Sequence, residues 1–478
     1  MTERPIDNAL LVAWQRTLTL KGSAPAVLSA RGSVLRKFDE IETESAEIAR
    51  TFDGLEPHSV VGMQIGNSER WPAALLALWR RRLIPLPLGC HMQPAELELA
   101  LSTCRAAALL TLEAGQPCIR PVGKLNGAVN GTARGPEAPG PAGDFLKLTS
   151  GTTCLPRAIR FRASQLLADC ENICATMGIT PDDINFGVIP ISHSYGFSNL
   201  ITPLLVFGVP LAVSEDRMPR AILEGLARTK ATVFPATPVF FQKLGEMDKT
   251  PKMPMLRLCI SAGAPLLRAG AEPFTARFGL KIHTFYGASE CGGIAYDAGE
   301  SLAYEDGCVG TPMQGVKITH KPGEIGAISV RSAAVGDGYF PESDEASLGK
   351  GRFVPGDLIR KTERGLFIAG RVSEVINVAG RKLNPLEVEA RLAEFPGVKQ
   401  AVVFGVRSEL RGEEPIACVA GRRIEREALL RHCHQCLSSW QIPRDLWIVD
   451  EIPSNERGKI SRRALAESYN DRIASKTP

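Results

Sequence analysis

The stretch LRLCISAGAPLLRAGAEPFTARFGLKIHTF, residues 256–285, shows how this chain is built. Its first apolar run, residues 256–261, predicts a buried strand, and the pattern of residues 265–278 predicts an amphipathic helix. A second apolar run at residues 282–285 predicts the next strand. Strands separated by helices are typical of layered α/β folds with largely parallel sheets, so this stretch indicates that class.

The same alternation continues toward the N-terminus. Residues 60–66 predict a buried strand, and residues 71–82 predict a helix whose basic end suits a helix C-terminus. Further strands are predicted at residues 145–148, 187–191, 211–214 and 232–235, and further helices at residues 163–177, 220–230 and 238–247. Such sheets place ligands at the loops beyond their strand ends, so the loops are where chemistry is expected.

The C-terminal part of the chain has a different pattern. Short strands are predicted at residues 366–369, 398–406, 416–420 and 446–449, with helices at residues 385–393 and 425–437. This is a small α+β unit, joined to the rest at Gly370-Arg371-Val372-Ser373. We therefore predict an N-terminal domain of residues 1–370 and a C-terminal domain of residues 371–478, with a hinge near residues 371–373.

Composition excludes several classes of protein. A chain of 478 residues is too long for one compact core, and 44% hydrophobic with 23% charged residues is ordinary for a soluble globular protein. The net charge of +4 suits an anionic ligand but gives no basic stripe for nucleic acid.

No stretch predicts a membrane span or a signal peptide. The twelve cysteines have no disulfide-framework spacing, so we predict a reducing, cytoplasmic location.

Two loops are suited to phosphate. TSGTTCLPR, residues 149–157, follows a predicted strand and offers side-chain and backbone donors in a tight turn, as a polyphosphate requires. FYGASE, residues 285–290, combines an aromatic ring, a flexible glycine, a hydroxyl and a carboxylate that could hold Mg²⁺. A serine- and threonine-rich hairpin and a helix-capping turn are the alternatives. The candidate residues are Thr149, Ser150, Gly151, Thr152, Thr153 and Arg157 in the first loop, and Tyr286, Gly287, Ser289 and Glu290 in the second.

Four further segments could contribute residues to a substrate- or nucleotide-binding site. His193 in PISHSYGFSN could line a substrate pocket or be a structural histidine. Small residues at Gly263 and Ala264 would let a flat ring approach the backbone. Asp357 with Arg371 would form a nucleoside clamp by binding ribose hydroxyls. Lys459 in PSNERGKISRRAL could deliver an ammonium to developing negative charge, with Arg462 and Arg463 predicted on a solvated basic face.

A metal site is a weaker hypothesis. His432, Cys433, His434 and Cys436 are close in sequence, but on a predicted helix only His432 and Cys436 share a face. Helix packing is the favoured interpretation.

In this order and spacing, the segments resemble the adenylate-forming superfamily. That superfamily contains the acyl- and aryl-CoA synthetases, firefly luciferase and the adenylation domains of non-ribosomal peptide synthetases. The resemblance covers residues 10–468 and includes GRVSEVINVAGRKLNPLEVE from Gly370 and the ending SSWQIPRDLWIVDEIPSNERGKISRRAL. It implies a large N-terminal domain of stacked sheets and a small, mobile C-terminal lid, with the active site between them.

The resemblance also implies roles for the candidate residues. Residues 149–153 would hold the triphosphate, while Ser289 and Glu290 would meet the α-phosphate and Mg²⁺. Tyr286 and the backbone of residues 263–264 would flank adenine, and Asp357 and Arg371 would hold the ribose. Lys459 would bridge the acid and the α-phosphate, and a swing of the lid would then present the segment around Gly380 to a thiol.

The chain departs from the superfamily pattern at four positions. Cys154 stands where glycine is usual and Arg157 where lysine is usual. Ser289 replaces the commoner threonine, and Ser373 replaces the usual hinge Asp or Lys. Arginine and serine keep the charge and the hydroxyl. Cysteine adds a side chain where the backbone would approach phosphate, which would weaken ATP binding or leave an oxidisable thiol there.

The implied activity is ATP-dependent conversion of a carboxylic acid to its acyl-adenylate, followed by transfer to coenzyme A. Residues 190–199 contain no acid to pair with a substrate ammonium, so an α-amino acid is disfavoured and an aryl or fatty acid is predicted. One alternative is a stand-alone enzyme that loads the phosphopantetheine of a separate acyl carrier protein. The other is a non-catalytic ATP-binding scaffold.

Overall fold

A computed structural model describes most of the chain. The described residues are 8–124, 143–149, 156–248, 250–320, 324–378, 381–408, 412–454 and 460–474.

Twelve of the described strands form one long sheet. Its parallel part includes the opening stretch, because Leu258–Ser261 pairs in parallel with Val233–Ala236 on one side and Ile282–Ala288 on the other. Beyond Ile282–Ala288 the sheet continues with antiparallel strands. From edge to edge the order is Ile325–Ala327, Asp357–Thr362, Gly365–Arg371, Cys308–Pro312, Gly292–Tyr296, Ile282–Ala288, Leu258–Ser261, Val233–Ala236, Asn185–Gly187, Leu211–Val213, Pro25–Ser29, Val34–Lys37.

Three smaller sheets surround this one. The first is largely parallel and has the order Ile84–Pro87, Val60–Gln64, Ala106–Glu113, Gln116–Pro121. The second has the order Gly338–Phe340, Arg157–Phe161, Phe145–Thr149, and the third Val316–Thr319, Ser329–Ser332, Arg352–Phe353, Leu348–Gly349.

Helices cover the sheets and connect their strands. They confirm the predicted α/β class, and the predicted helix at residues 163–177 is found at those bounds. In chain order they are Ala9–Lys21, Phe38–Arg50, Trp71–Arg80, Pro94–Thr103, Ala163–Met177, Ser194–Gly196, Thr202–Phe207, Pro219–Thr229, Pro238–Gly245 and Arg268–Phe278, with a π-helical segment at Phe197–Ile201 and a short turn of helix at Val122–Lys124.

The strand predicted at residues 187–191 differs from the observed one. The strand is Asn185–Gly187, and the following residues leave the sheet. The side chain of Asn67 holds them there, since its Nδ2 donates to the carbonyl oxygen of Ile189 at 2.9 Å and its Oδ1 accepts from the backbone N–H of Ile191 at 2.9 Å. The strand therefore ends at Gly187, and His193 lies in the segment that follows it.

The C-terminal unit has its own sheet and cores. Its strands are Arg381–Leu383, Ile376–Val378, Gly412–Gly421 and Val398–Ser408, with Asp445–Val449 parallel to Gly412–Gly421. Its helices are Pro385–Ala393, Arg426–Cys436 and Arg462–Ala474, and a short turn Val372–Glu374 precedes it. Its buried side chains, among them Leu383 and Val403, form clusters separate from the N-terminal core. This agrees with a joint after the strand Gly365–Arg371, although the predicted boundary itself stays a prediction.

The prediction of a solvated Arg462 is wrong. Its side chain is only 17% exposed and its Nε lies 2.9 Å from Glu374, while Nη1 bonds to Glu389. Nη1 also donates to the carbonyl oxygen of Val403 at 3.1 Å. Arg463 has the exposed position expected of both, at 70%. Arg462 therefore ties the last helix to the helix Pro385–Ala393 and to the turn after the predicted hinge.

Two absences concern the part of the chain that the structure describes. None of its helices is long and apolar enough to cross a membrane. Nor do three or more His, Cys, Asp or Glu side chains within it come together as a metal site. His432 instead bonds the carbonyl oxygen of Arg391 at 2.8 Å, and Cys433 is buried in the C-terminal core.

Replacing Gly292 by alanine is expected to destabilise the fold by about 2–4 kcal/mol. Gly292 has φ +69°, and a Cβ built there would overlap the Asp169 carboxylate, which accepts the backbone N–H of Gly293 at 2.9 Å. The midpoint of urea unfolding measures the effect. Gly115→Ala is the matched control, because Gly115 has φ +76° but nothing within 4 Å of a built Cβ. Equal losses in the two variants would contradict the steric explanation.

Candidate active site

The predicted loops meet where the parallel strands end. Ala236 pairs with Ser261, so the loops after the strands Val233–Ala236 and Leu258–Ser261 start side by side. Ser261 also pairs with Thr284, in the strand that continues to Ala288. Gly263, in the second loop, is exposed and has φ +85°. The nearest atom to a Cβ built there is Cγ2 of Thr237 at 3.7 Å, so the backbone of residues 263–264 is open to a ligand.

Tyr286, Asp357 and Arg371 form one hydrogen-bonded group. The hydroxyl of Tyr286 donates to Oδ2 of Asp357 at 2.7 Å, and Nε of Arg371 donates to Oδ1 at 2.8 Å. Asp357 and Arg371 lie directly opposite each other on antiparallel strands, which explains how residues distant in sequence meet. Tyr286 and Asp357 are 7% and 8% exposed. The predicted base-stacking ring and ribose clamp are therefore neighbours.

Burial sets the ionisation of this group. It raises the pKa of the Tyr286 hydroxyl well above its ordinary value, and the adjacent Asp357 charge raises it further, so the phenol stays a hydrogen-bond donor. Burial also opposes the charge on Arg371, but the Asp357 carboxylate outweighs it and raises the pKa of the guanidinium. An ion pair fixed in this way is suited to the ribose clamp that the sequence predicts.

Ser289 lies next to the segment that contains His193. The hydroxyl of Ser194 donates to Oγ of Ser289 at 2.9 Å. His193 immediately precedes the short helix Ser194–Gly196 and is partly buried, and its carbonyl oxygen accepts the backbone N–H of Phe197 at 2.8 Å. The predicted phosphate-binding hydroxyl and the predicted pocket histidine are thus joined through one residue.

Glu290 lies beside Tyr339 and Arg157. The hydroxyl of Tyr339 donates to Oε1 of Glu290 at 3.0 Å, and the guanidinium of Arg157 lies 4.4 Å from the centre of the Tyr339 ring. Burial raises the pKa of the Glu290 carboxyl, while the Tyr339 hydrogen bond and the positive charges of Arg157 and Lys147 oppose that rise. Carboxylate oxygens are ligands that Mg²⁺ prefers, so Glu290 stays the candidate anchor for that ion.

The strands on either side of the predicted phosphate loop pair in antiparallel fashion. Thr149 and Arg157 pair across it, and the Thr149 hydroxyl donates to the carbonyl oxygen of Arg157 at 3.0 Å. Ser150, Gly151, Thr152, Thr153, Gly380 and Lys459 lie outside the described residues, so their roles stay predictions. Gly287 lies on the strand Ile282–Ala288, where a Cβ would come within 2.7 Å of the Gly292 carbonyl oxygen.

Sequence reasoning missed four residues of this region. Lys147 is 5% exposed, lies on the strand that leads into the phosphate loop, and has Nζ 4.5 Å from the centre of the Phe161 ring. Burial lowers its pKa. A charge inside the apolar run FLKLT was a visible signal. The other three are Asn67, Ser194 and Tyr339, whose contacts depend on tertiary structure and leave no mark in the sequence.

The residues present fit a polyanion with a divalent cation. Nε of Arg157 is buried and has no hydrogen-bond partner among the described residues, so it has a donor left for an anion. The Glu290 carboxylate has acceptor capacity beyond its Tyr339 bond. Cations and hydroxyl donors can stabilise negative charge on a phosphate while it reacts, and a carboxylate can hold the divalent cation.

Comparison with known proteins identifies relatives over nearly the whole chain. The family described as AMP-binding enzyme matches residues 15–340, and the AMP-binding enzyme C-terminal domain matches residues 387–459. The oxalate–CoA ligase of Arabidopsis thaliana is 27% identical, and the match covers 87% of this chain and 89% of the relative. A feruloyl-CoA synthase of Amycolatopsis sp is 25% identical, and the match covers 94% of this chain and 96% of the relative.

Solved structures share the fold. ATP-bound MatB from Rhodopseudomonas palustris superposes with a TM-score of 0.83 at 24% identity. The superposition covers 97% of this chain and 99% of MatB.

Proposed function

The chain belongs to the AMP-binding enzyme family, and on that premise we propose that it is an AMP-forming ligase that joins a carboxylic acid to coenzyme A. The observation that carries this proposal is the convergence of Tyr286, Asp357 and Arg371 on one side and Ser289 with Glu290 on the other. A nucleoside clamp next to a phosphate-binding turn is what an adenylating enzyme needs.

In the first step, a carboxylate oxygen of the acid bonds to the α-phosphorus of ATP, and the bond from that phosphorus to the bridging oxygen breaks. Pyrophosphate leaves with the bond electrons, and the acyl-adenylate remains. Two anions must approach, so Arg157, the donors of residues 149–153, Ser289 and Lys459 lower the barrier by opposing negative charge. Mg²⁺ held through Glu290 would supply further positive charge to the phosphates. His193 is proposed to line the acid site.

In the second step, the thiol sulfur attacks the acyl carbonyl carbon. The carbon–oxygen bond to AMP breaks, AMP leaves with the electrons, and the thiol proton is lost to solvent or a base. We propose that the C-terminal domain turns about residues 371–373 between the two steps, removing Lys459 and presenting the segment around Gly380. Coenzyme A is the proposed acceptor because the relatives are named for it. A carrier-protein thiol is the alternative.

The acid is proposed to be a small molecule, with aryl and fatty acids as the predicted classes. The feruloyl-CoA relative supports an aryl acid, whereas the oxalate–CoA relative adds short diacids to the acids worth testing. A cytoplasmic location is also proposed, because the cysteines that the structure describes are free thiols, as in reducing compartments.

One experiment tests the function. Pyrophosphate release is measured with MgATP and a panel of benzoic, cinnamic, fatty and short dicarboxylic acids, with and without coenzyme A. Acid-dependent release, with thioester formed only when coenzyme A is present, is the expected result. Acid-dependent release without thioester would move the acceptor to a carrier protein. Folded, ATP-binding protein that releases no pyrophosphate with any acid would contradict the proposal.

A further inference from the structure

The Ser289 hydroxyl must adopt one orientation if it is to donate to a phosphate oxygen. A β-branched threonine side chain is confined in χ1, whereas serine exchanges more easily between rotamers. A hydroxyl meant to meet a phosphate oxygen loses binding free energy if it must first be ordered. Something else should therefore restrain the Ser289 side chain, and the described structure has one such contact, the 2.9 Å hydrogen bond that Ser194 donates to it.

Ser194 is itself held firmly. It begins the short helix Ser194–Gly196, and a Cβ at Gly196 would overlap the carbonyl oxygen of Pro190, so the helix packs tightly on the preceding chain. The next residue, Tyr195, donates its hydroxyl to the carbonyl oxygen of Ile260 at 2.9 Å. The Tyr195 carbonyl oxygen in turn accepts Nδ2 of Asn199 at 3.1 Å. The donor of the Ser194–Ser289 bond thus has a fixed position relative to the sheet.

We infer that Ser194 is a positioning residue that holds the Ser289 hydroxyl in the rotamer required to bind the α-phosphate. The inference rests on the proposed function. Ser194 supplies through a hydrogen bond the restraint that a threonine methyl group would supply through sterics.

The direction of the bond matters. Ser194 donates its proton, so the Ser289 oxygen accepts and its own O–H stays free to donate to a phosphate oxygen. Accepting one hydrogen bond also polarises a hydroxyl and strengthens the bond that it donates. The pair therefore forms a short chain from the acid-binding segment to the phosphate.

The test is a double-mutant cycle of Ser194→Ala and Ser289→Thr, with Ser194→Thr as the conservative variant. In acid-dependent pyrophosphate release, Ser194→Ala is expected to lower kcat by roughly 3- to 10-fold, the size of one hydrogen bond, with little change in the KM for ATP. Ser194→Thr keeps the hydroxyl and should stay near wild type. Ser289→Thr placed in the Ser194→Ala background should restore most of kcat.

Ser33→Ala is the matched control. Its hydroxyl lies 2.6 Å from that of Ser29 in a second serine pair at the far edge of the large sheet, and its loss should leave kcat unchanged. The inference is overturned if Ser194→Ala equals an active wild type, or if its loss of kcat is not restored by Ser289→Thr. A wild type that releases no pyrophosphate with any acid refutes the proposed function instead, and the inference falls with it.

Discussion

Lys459→Ala is expected to lower acid-dependent pyrophosphate release by about 10²- to 10³-fold, the usual effect of removing one group that opposes developing negative charge. The first step brings a carboxylate and a phosphate together, and no neutral side chain can replace an ammonium there. The second step, measured as thioester formation from supplied acyl-adenylate and coenzyme A, should keep most of its rate because Lys459 is proposed to act only in the first.

The control for this variant is Lys399→Ala, which removes an exposed lysine from the same C-terminal unit. It should leave both steps unchanged. If Lys459→Ala slows the two steps equally, the assignment of Lys459 to adenylation is wrong and a general effect on the C-terminal unit takes its place.

Asp357→Asn is expected to weaken binding of both ATP and AMP by about 10- to 100-fold, since bonds to a charged acceptor contribute more than neutral ones. The amide keeps the shape of the side chain but removes the charge that pairs with Arg371 and that is proposed to accept the ribose hydroxyls. Equilibrium titration with each nucleotide measures the effect, and the unfolding midpoint shows whether the fold is intact.

Arg157→Met provides the contrast. Arg157 lies at the end of the predicted phosphate loop, so this variant should weaken binding of ATP much more than binding of AMP, which lacks the outer phosphates. Normal AMP affinity in folded Asp357→Asn protein would remove Asp357 from the ribose site. If both variants lost much more affinity for ATP than for AMP, Asp357 would likewise be removed from the ribose site.

The sequence predicted the fold where a pattern is local. The helix at residues 163–177 and the helix at residues 385–393 have the predicted bounds, because each is amphipathic and ends at a recognisable boundary. The helix predicted at residues 265–278 begins only at Arg268, since Leu267 is extended and the preceding Leu266 is buried. The strand predicted at residues 366–369 is found as Gly365–Arg371, but it lies in the large sheet and not in the C-terminal unit. The antiparallel strands between Gly292 and Thr362 were not predicted, because their short alternating segments resemble loops in a single sequence.

The candidate site was predictable as separate loops but not as a set of contacts. Tyr286, Asp357 and Arg371 were named individually, and only the pairing of two strands shows that they touch. Tyr339 and Asn67 could not be found, since each acts on a segment more than forty residues away, and neither has an unusual sequence neighbourhood. Arg462 was misplaced because an arginine beside another arginine suggests a solvated face, whereas two carboxylates from other elements bury it.

Arg371 belongs both to the predicted ribose clamp and to the predicted hinge. It ends the strand Gly365–Arg371 and donates a hydrogen bond to Asp357. It is also the residue after which the chain leaves the large sheet. A nucleotide bound to Arg371 would restrain the backbone next to the proposed hinge and so slow rotation of the C-terminal unit. Dissociation of AMP and the return of the C-terminal unit to its starting orientation would then be coupled. A nucleotide analogue that dissociates slowly from Arg371 would therefore slow turnover.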